Sequence, residues 1–313
     1  MRLLPHSPSN RPDGHSLLGP AVRLGAHNPP LEREFDAYTE HFQHVFARAD
    51  QFSRFRVYLR GLLDGGERKN VGGIAARSID SGEADVAQAL QHFISQSPWD
   101  SGRLLASYRR RLGDRLADPG AVWVVHDGVI PKRGLHSVGT QRQYARAVGR
   151  KINCQLAVTV TQIGPAGYFP LSARLYLPGY WLREHTDAVA KTVPEGFRRP
   201  ASKAEIALGL LTDLRSEGLT CPGLIAEEGY ETADVVDGLN RHGFPTPLLQ
   251  NAGEVAFARV LFEWLKSWLG LDHFEGRTWH GWHHHIGLVF TAYGFLAGGR
   301  PGPGRPPFPA ADA

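Results

Sequence analysis

The spacing of apolar residues changes once along this chain, at the turn sequence Asp118-Pro119-Gly120. Before this turn, apolar residues recur every three or four positions, which is the period of an amphipathic helix. After it, Val122-Trp-Val-Val-His126 is a nearly continuous apolar run and residues 155–163 alternate, and both patterns indicate strands. The chain is therefore expected to place a group of helices before a sheet.

Four helices are predicted between residues 34 and 118. The fourth has the clearest signals, because Asp100 is placed to cap its N-terminus and an apolar stripe runs from Leu104 to Leu116. The opposite face carries five arginines, Arg103, Arg109, Arg110, Arg111 and Arg115. Such a face is typical of a helical module that docks on DNA, and equally of a solvated surface on a small bundle, so this stretch alone leaves both interpretations open.

Beyond the turn, predicted strands alternate with predicted helices. The strands fall at residues 122–126, 155–163, 171–177, 224–226 and 248–250, and the helices at 202–218, 232–241, 254–269 and 282–296. The first of these helices begins with the capping box Ser202-Lys-Ala-Glu205. Strands followed by alternating helices and strands predict an α/β fold, a mixed sheet flanked by helices.

The two ends of the chain have the composition of disordered tails. Residues 1–30 and 298–313 each contain nine Gly or Pro, so neither is expected to offset the entropy of ordering. Two cysteines form no disulfide framework, which favours a reducing, cytosolic compartment. No apolar run approaches the roughly 18 residues of a membrane span, and no secretory signal follows Arg2.

The sequence lacks the short signatures of several enzyme classes. It has no phosphate-binding loop, dinucleotide fingerprint, nucleophile elbow, HExxH motif or paired-cysteine motif. A histidine cluster is present, consisting of His280, His283, His284 and His285. No carboxylate or cysteine at useful spacing completes a ligand set there, so packing beside Trp279 and Trp282 is the default prediction for this cluster.

Basic residues are distributed unevenly, although the net charge is only +4. Between Ser101 and Lys151 there are eleven Arg or Lys and three Asp, a local charge of +8, so the remainder carries about −4. A patch of this kind suggests a polyanion as the partner.

Acidic residues follow two of the predicted strands. Asp127 comes directly after the strand at residues 122–126, and Glu227 and Glu228 come directly after the strand at 224–226. The ends of adjacent parallel strands meet at one edge of a sheet, where two carboxylates can hold Mg²⁺ for phosphodiester cleavage. Spacing alone also fits the commoner roles of turn residue and helix cap.

Several ordered blocks of this sequence resemble one family of bacterial enzymes. They are His126-Asp127-Gly-Val-Ile-Pro-Lys132-Arg133-Gly-Leu-His136-Ser137-Val138-Gly139, Gln141-Arg142-Gln143-Tyr144, Asn153-Cys154-Gln155, Leu175-Tyr-Leu-Pro178 with Trp181, and Lys266 with residues 269–277 and 279–285. Upstream blocks are Tyr58-Leu-Arg-Gly-Leu-Leu63, residues 67–70 and Ser97-Pro-Trp-Asp100. Over residues 35–296 the chain resembles the DDE transposases of insertion sequences, in the insertion-sequence-701 branch.

The resemblance implies a ribonuclease-H-like sheet preceded by a small helical DNA-binding region. It divides the chain into a disordered tail at 1–33, helices at 34–118, a catalytic domain at 119–297 without the family's usual β-rich insertion, and a Pro/Gly tail at 298–313. The implied partner is double-stranded DNA of transposon ends, bound as a homodimer in the bacterial cytoplasm at the nucleoid. The implied cofactor is Mg²⁺ or Mn²⁺, used for strand cleavage and joining.

The resemblance also assigns the site residues. Asp127 matches the first metal-binding Asp, Glu227 stands where the second Asp is expected, and Arg259 occupies the position of the third acid. Glu263, one helical turn away, is the candidate substitute for that acid, or else a partner of Arg259. The predicted DNA contacts are Arg109, Arg110, Lys132, Arg133, Arg142, Arg146, Arg150, Lys151 and Lys266.

These departures define the competing hypotheses. Glu227 is one methylene longer than Asp, and the guanidinium of Arg259 cannot bind a metal. The leading hypothesis is a transposase that cuts DNA with a divalent metal. The alternatives are a catalytically inactive, DNA-binding transposase remnant, and an α/β interaction domain with no nucleic acid partner.

Overall fold

A computed structural model of the 313-residue chain describes residues 29–66, 68–78, 85–230, 232–245 and 252–298. The helices are α1 Pro29–Glu40, α2 Ala49–Leu63, α3 Val71–Arg77, α4 Val86–Ser95, α5 Ser101–Leu112, α6 Gly179–Glu184, α7 Thr186–Thr192, α8 Lys203–Ser216, α9 Ala233–Arg241, α10 Ala252–Leu269 and α11 Trp279–Gly298. The strands are β1 Val122–Pro131, β2 Gln141–Ala145, β3 Arg150–Gly164, β4 Gly167–Leu175 and β5 Leu224–Ala226.

Local sequence signals account for where two of the helices begin. The Asp100 carboxylate accepts hydrogen bonds from the backbone N–H groups of Gly102 and Arg103, so α5 starts at the predicted cap. At α8 the predicted capping box is complete, because the Ser202 hydroxyl accepts from the Glu205 N–H and the Glu205 carboxylate accepts from the Ser202 N–H. Both helices therefore begin at the residues that the sequence predicted.

The sheet contains antiparallel and parallel strand pairs. β3 is the longest strand, and it pairs antiparallel with β1 on one side and with β2 and β4 on the other. The short strand β5 lies outside β1 and runs parallel to it. This arrangement confirms the predicted α/β class, a mixed sheet flanked by helices.

The end of the β1–β5 pairing differs from the prediction in one respect. β1 continues past residue 126 to Pro131 because β3 remains its partner throughout, so Asp127 lies inside the strand rather than after it. The parallel pairing nevertheless stops at the register pair Val125 and Ala226. Glu227 lies one residue and Asp127 two residues beyond this last parallel pair, so both acids lie at the same edge of the pairing.

Helices α8 and α10 lie on opposite faces of the sheet next to these two acids. Val124, His126 and Gly128 of β1 face α10, since Val124 packs with Ala258 and the other two contact Phe262. Asp127 points to the other face, where it meets α8. Successive residues of a strand point to opposite faces, so the pleat of β1 separates the acid from its two neighbours.

The helices before the sheet share one hydrophobic core with it. Helix α11 packs against α2, α4 and α5 and also against β4, and the buried cluster extends from Phe35 to Phe295. The first helix begins at Pro29, five residues before the predicted start at residue 34, because its first turn needs no N–H from Pro29 or Pro30. The N-terminal helices are therefore part of the same packed body as the sheet.

Some predicted features are outside the described residues or were missed. The predicted strand at 248–250 lies outside the described residues. The same is true of most of the predicted tails at 1–33 and 298–313, but residues 29–33 and Gly298, which are described, are helical and belong to α1 and α11. Strand β2 was not predicted, because Gln141-Arg-Gln-Tyr-Ala145 is mostly polar and its alternation is weak. Among the helices of the described residues, none combines the length and the apolar character that a membrane span requires.

Candidate functional site

Asp127 and Glu227 lie side by side, as the strand-end pattern predicted. The backbone N–H of Asp127 donates to Oε2 of Glu227 at 2.8 Å, and the backbone N–H of Glu227 donates to the Val125 carbonyl at 2.8 Å. Both acids are 3% exposed. The two carboxylates form a buried pair, which we call the acid centre.

Both side-chain oxygens of Asp127 accept hydrogen bonds from other residues of the chain. The Lys203 ammonium donates to Oδ2 at 2.5 Å, and the Tyr230 hydroxyl donates to Oδ1 at 2.6 Å. Burial, together with the negative charge of Asp127, raises the pKa of Tyr230 well above 10, so its hydroxyl keeps the proton that it donates. The Asp127 carboxylate is thus held by one cation and one neutral donor.

Glu227 is held in the same way. The Arg259 guanidinium donates from Nη2 to Oε1 at 2.5 Å, while Oε2 accepts the Asp127 N–H. Arg146 stands farther off, with its Nε 3.8 Å from Oε1, and forms its shorter ion pair with Glu228. All four carboxylate oxygens of the acid centre therefore have a donor supplied by the chain.

Lys203 and Tyr230 were not predicted as site residues from the sequence. Helix α8 precedes β5 and returns along the sheet, so its first residue, Lys203, lies at the edge where β5 ends. Tyr230 comes three residues after Glu227, in a turn closed by its own N–H on the Glu227 carbonyl at 3.3 Å. The capping box at Ser202 marked the start of α8 but not where that helix packs on the sheet, so it did not reveal that Lys203 contacts Asp127.

The face of β1 opposite Asp127 is sealed. The Phe262 ring covers Gly128 so closely that a Cβ there has no room, and its edge meets the His126 ring with centroids 6.1 Å apart. Burial lowers the pKa of His126 to about 4, so this imidazole is neutral near pH 7. The β1 residues on either side of Asp127 are therefore packed against α10.

The acid centre does not fit a magnesium ion. Mg²⁺ requires six oxygen ligands near 2.0–2.1 Å and usually keeps several waters. Here the carboxylate oxygens already accept bonds from an ammonium, a guanidinium, a hydroxyl and an amide, and both acids are buried. Among the described residues, no group of three His, Cys, Asp or Glu side chains is arranged to hold a metal ion.

Glu263 does not join the acid centre as its substitute third acid. Its carboxylate is 59% exposed and accepts both of its hydrogen bonds from Lys266, at 2.7 and 2.9 Å. The expected alternative, a pair with Arg259, is also wrong, because the Arg259 guanidinium turns to Glu227. Burial explains why Arg259 pairs with Glu227: an unpaired charge costs more free energy at the buried Glu227 than at the solvated Glu263.

Several of the predicted DNA contacts are engaged inside the protein. Arg109 is buried, grips Glu217 through two hydrogen bonds of 2.6 and 2.8 Å, and donates to the Leu171 carbonyl. Lys132 donates to the carbonyls of Asp272 and Phe274, and burial lowers its pKa. Arg146 pairs with Glu228, and Lys266 pairs with Glu263. Arg109 is enclosed and cannot reach a phosphate, which corrects that assignment, whereas the DNA contacts predicted for Lys132, Arg146 and Lys266 stay predictions.

The other predicted contacts are on the surface. They are Arg110, Arg133, Arg142, Arg150 and Lys151. Arg142, Arg150 and Lys151 lie on the β2–β3 hairpin, where Arg142 is opposite Asn153 and Lys151 is opposite Tyr144. Tyr144 is 54% exposed and shares one face of the hairpin with Arg142 and Lys151, whereas Arg150 precedes Lys151 on β3 and points to the other face. We call the exposed residues Arg133, Arg142, Tyr144, Arg150 and Lys151 the basic hairpin.

His283 packs beside Trp279 and Trp282, as the default prediction proposed, and the two histidines after it pack against other parts of the fold. His284 lies between the carbonyls of Ile94 and Trp99, at 2.9 and 2.8 Å, and stacks on the Trp99 ring. His285 reaches the Gly270 carbonyl through Nε2 at 2.9 Å and the Tyr58 hydroxyl through Nδ1 at 3.0 Å. His280 is exposed. These contacts join α11 to α2, to the end of α4 and to the loops that precede α5 and follow α10.

The chain is similar to one protein family and to one curated relative. Residues 41–251 match the family described as DDE superfamily endonuclease, which is more than half of the chain. A curated relative from Microchaete diplosiphon, named "Probable transposase for insertion sequence element IS701", is 27% identical over 216 residues. That alignment covers 67% of this chain and 53% of the relative, so the chain spans about half the length of the curated relative that it matches.

Proposed function

The chain belongs to the DDE superfamily endonucleases, with the ribonuclease-H-like fold that the resemblance implied, and from this we propose that it binds double-stranded DNA at transposon ends. We take transposon ends as the kind of DNA because the relative's name is that of a probable transposase for an insertion sequence element. The observation that carries the proposal is the basic hairpin, whose four cations are all exposed.

Charge complementarity supports DNA as the partner of this surface. After Asp127 the next acidic residue in the sequence is Glu184, so the hairpin and the strands that extend from it contain no carboxylate to neutralise its cations. Arginine and lysine side chains on such a surface bind phosphate oxygens and release condensed counterions. Tyr144 adds an amphipathic ring among the cations.

The basic hairpin leads directly to the acid centre. Arg146 follows β2 and contacts both Glu228 and, at 3.8 Å, Glu227. A duplex bound along the hairpin therefore passes close to the edge of the sheet where Asp127 and Glu227 lie. This proximity is the arrangement expected in a family whose acids act on the DNA backbone.

We infer that this chain binds the duplex without cutting it. Metal-dependent cleavage and joining is the activity that family membership suggests, and the superfamily generally uses divalent metals. The acid centre, however, offers its carboxylates to Lys203, Tyr230 and Arg259. Assembly of a homodimer on paired DNA ends, close to the nucleoid, belongs to the same proposal.

Fluorescence anisotropy with a duplex that carries the terminal repeats of the encoding element tests the proposal. The affinity of the unmodified chain should fall steeply with salt, with a log–log slope of about −0.9 for each phosphate neutralised. The triple variant Arg142→Ala, Arg150→Ala, Lys151→Ala should reduce that slope by about 3. Arg241→Ala, at an exposed cation on α9, is the matched control and should leave the slope unchanged.

Two results would count against DNA binding by this surface. One is binding that does not respond to salt, and the other is a triple variant that binds like the unmodified chain. A scrambled duplex of equal length separates general duplex binding from recognition of the ends. The mass of the complex in solution reports whether two copies assemble on one DNA.

A further inference from the structure

We propose that Arg259 and Lys203 are resident cations of the acid centre, standing where a divalent metal would lie, so that a carboxylate at position 259 would convert the centre into a metal site. The proposal goes beyond DNA binding and does not depend on it. It concerns five side chains, those of Asp127, Glu227, Lys203, Tyr230 and Arg259.

The first support is that every carboxylate oxygen of the acid centre already accepts a hydrogen bond from the chain. Lys203 and Tyr230 take one Asp127 oxygen each, and Arg259 and the Asp127 amide take one Glu227 oxygen each. A metal ion bonding directly to any of these oxygens would have to displace or crowd a donor. Leaving a buried donor without its acceptor costs about 1–3 kcal/mol, and more for a charged donor.

The second support is the balance of charge. The two buried carboxylates carry two negative charges, and the two cations in direct contact with them carry two positive charges. The nearby pair of Arg146 and Glu228 is neutral by itself. Adding a divalent ion would leave a buried excess of two positive charges, whereas replacing Arg259 by an acid would remove one positive charge and add one negative charge.

The third support is the position of residue 259. Arg259 lies on α10 and spans the distance from that helix to Oε1 of Glu227 with its extended side chain, which is one-third exposed. Its Nε is buried and has no hydrogen-bond partner within the described residues, so not all N–H donors of the guanidinium are used. A glutamate from the same backbone position would extend toward Glu227 and supply the third oxygen ligand that the centre lacks.

Manganese binding by the full chain tests this proposal, using the electron paramagnetic resonance signal of free Mn²⁺ and isothermal calorimetry. The unmodified chain should bind no Mn²⁺ at this centre, so Asp127→Asn should leave its Mn²⁺ isotherm unchanged. Arg259→Glu should bind Mn²⁺ at least about 10-fold more tightly than Arg259→Gln, which is the size of effect of one partner in a metal site. Arg259→Gln is the matched control, because it removes the cation without adding an acid, and it should not reach that affinity.

A second readout is the melting temperature. Mn²⁺ should raise the melting temperature of Arg259→Glu, because a ligand that binds only the folded state stabilises it, and should leave that of the unmodified chain unchanged. Adding Asp127→Asn to Arg259→Glu should abolish both the binding and the shift.

Two outcomes would overturn the proposal. One is Mn²⁺ binding by the unmodified chain that is lost in Asp127→Asn, because the resident cations would then yield to a metal. The other is a folded Arg259→Glu protein, judged by circular dichroism, that binds Mn²⁺ no better than Arg259→Gln. Should Arg259→Glu fail to fold, the comparison of the unmodified chain with Asp127→Asn decides whether the cations are resident.

Discussion

The Nη2 atom of Arg259 lies 2.5 Å from Oε1 of Glu227, so a guanidinium occupies the place where the family resemblance put a third metal-binding acid. The pair joins α10 to the end of β5 across the edge of the sheet. The Arg259 cation compensates the buried Glu227 carboxylate. The pair therefore contributes to the stability of the fold.

Removing the cation should therefore destabilise the protein. Arg259→Met leaves the buried Glu227 charge uncompensated, and we expect a loss of about 3 kcal/mol in the free energy of unfolding, at the low end for a buried pair because Arg259 is 33% exposed. Adding Glu227→Gln to that variant should restore much of the loss, since the amide carries no charge to compensate. Urea denaturation measures both values. Equal stability of Arg259→Met and the unmodified chain would show that the pair contributes nothing.

Arg109 should contribute to stability and not to DNA binding. Its guanidinium is 5% exposed and connects α5 to Glu217 and to the Leu171 carbonyl, so Arg109→Met should cost about 2–4 kcal/mol of unfolding free energy. The neighbouring Arg110 is exposed, and Arg110→Met should change stability by less than about 0.5 kcal/mol. If folded Arg109→Met bound DNA with a smaller slope of log affinity against log salt concentration, Arg109 would instead be a DNA contact.

The stability of the fold should fall as the pH drops from about 6.5 toward 4. Burial lowers the pKa of His285 to about 4, while in the unfolded chain it is near 6.5. Between these values the unfolded state binds a proton that the folded state does not, so the unfolding free energy falls by up to about 1.4 kcal/mol per pH unit for this group. The contribution is fully present above pH 6.5.

Melting temperatures measured across that pH range check this expectation. His126, His283 and His284 have pKa values lowered by burial to about 4, 3 and 4, so they add to the same slope. His285→Gln should make the decline of melting temperature with acid shallower, and His280→Gln, at an exposed position, should not. A decline of the same steepness in all three proteins would mean that other groups control the acid response.

Much of the sheet could be predicted because its strands carry strong local signals. The apolar run at residues 122–126 and the short strand at 224–226 indicated β1 and β5, and parallel pairing of their ends brought Asp127 next to Glu227. The capping signals at Asp100 and Ser202 fixed two helix starts. These features depend on neighbouring residues or on the direction of a strand, and the sequence contains both kinds of information.

The partners of the acids were harder to predict because they depend on three-dimensional packing. Lys203 and Arg259 reach the acid centre from helices on opposite faces of the sheet, and they are separated from Asp127 by 76 and 132 positions in the sequence. For the same reason Arg109, one of four arginines on α5, could not be recognised as the one that is buried. Charge patterns identify basic surfaces, but they do not reveal which cation has a buried carboxylate within reach.

The central claim is that the acid centre is filled by cations of the chain itself, so that the protein holds transposon-end DNA without cutting it. The most direct measurement follows the integrity of an end-labelled terminal-repeat duplex, bound to the full chain in Mg²⁺ or Mn²⁺, on a denaturing gel. We predict that the duplex is bound and remains intact with either Mg²⁺ or Mn²⁺. Nicks at the element's ends that appear with the unmodified chain and disappear with Asp127→Ala would contradict it.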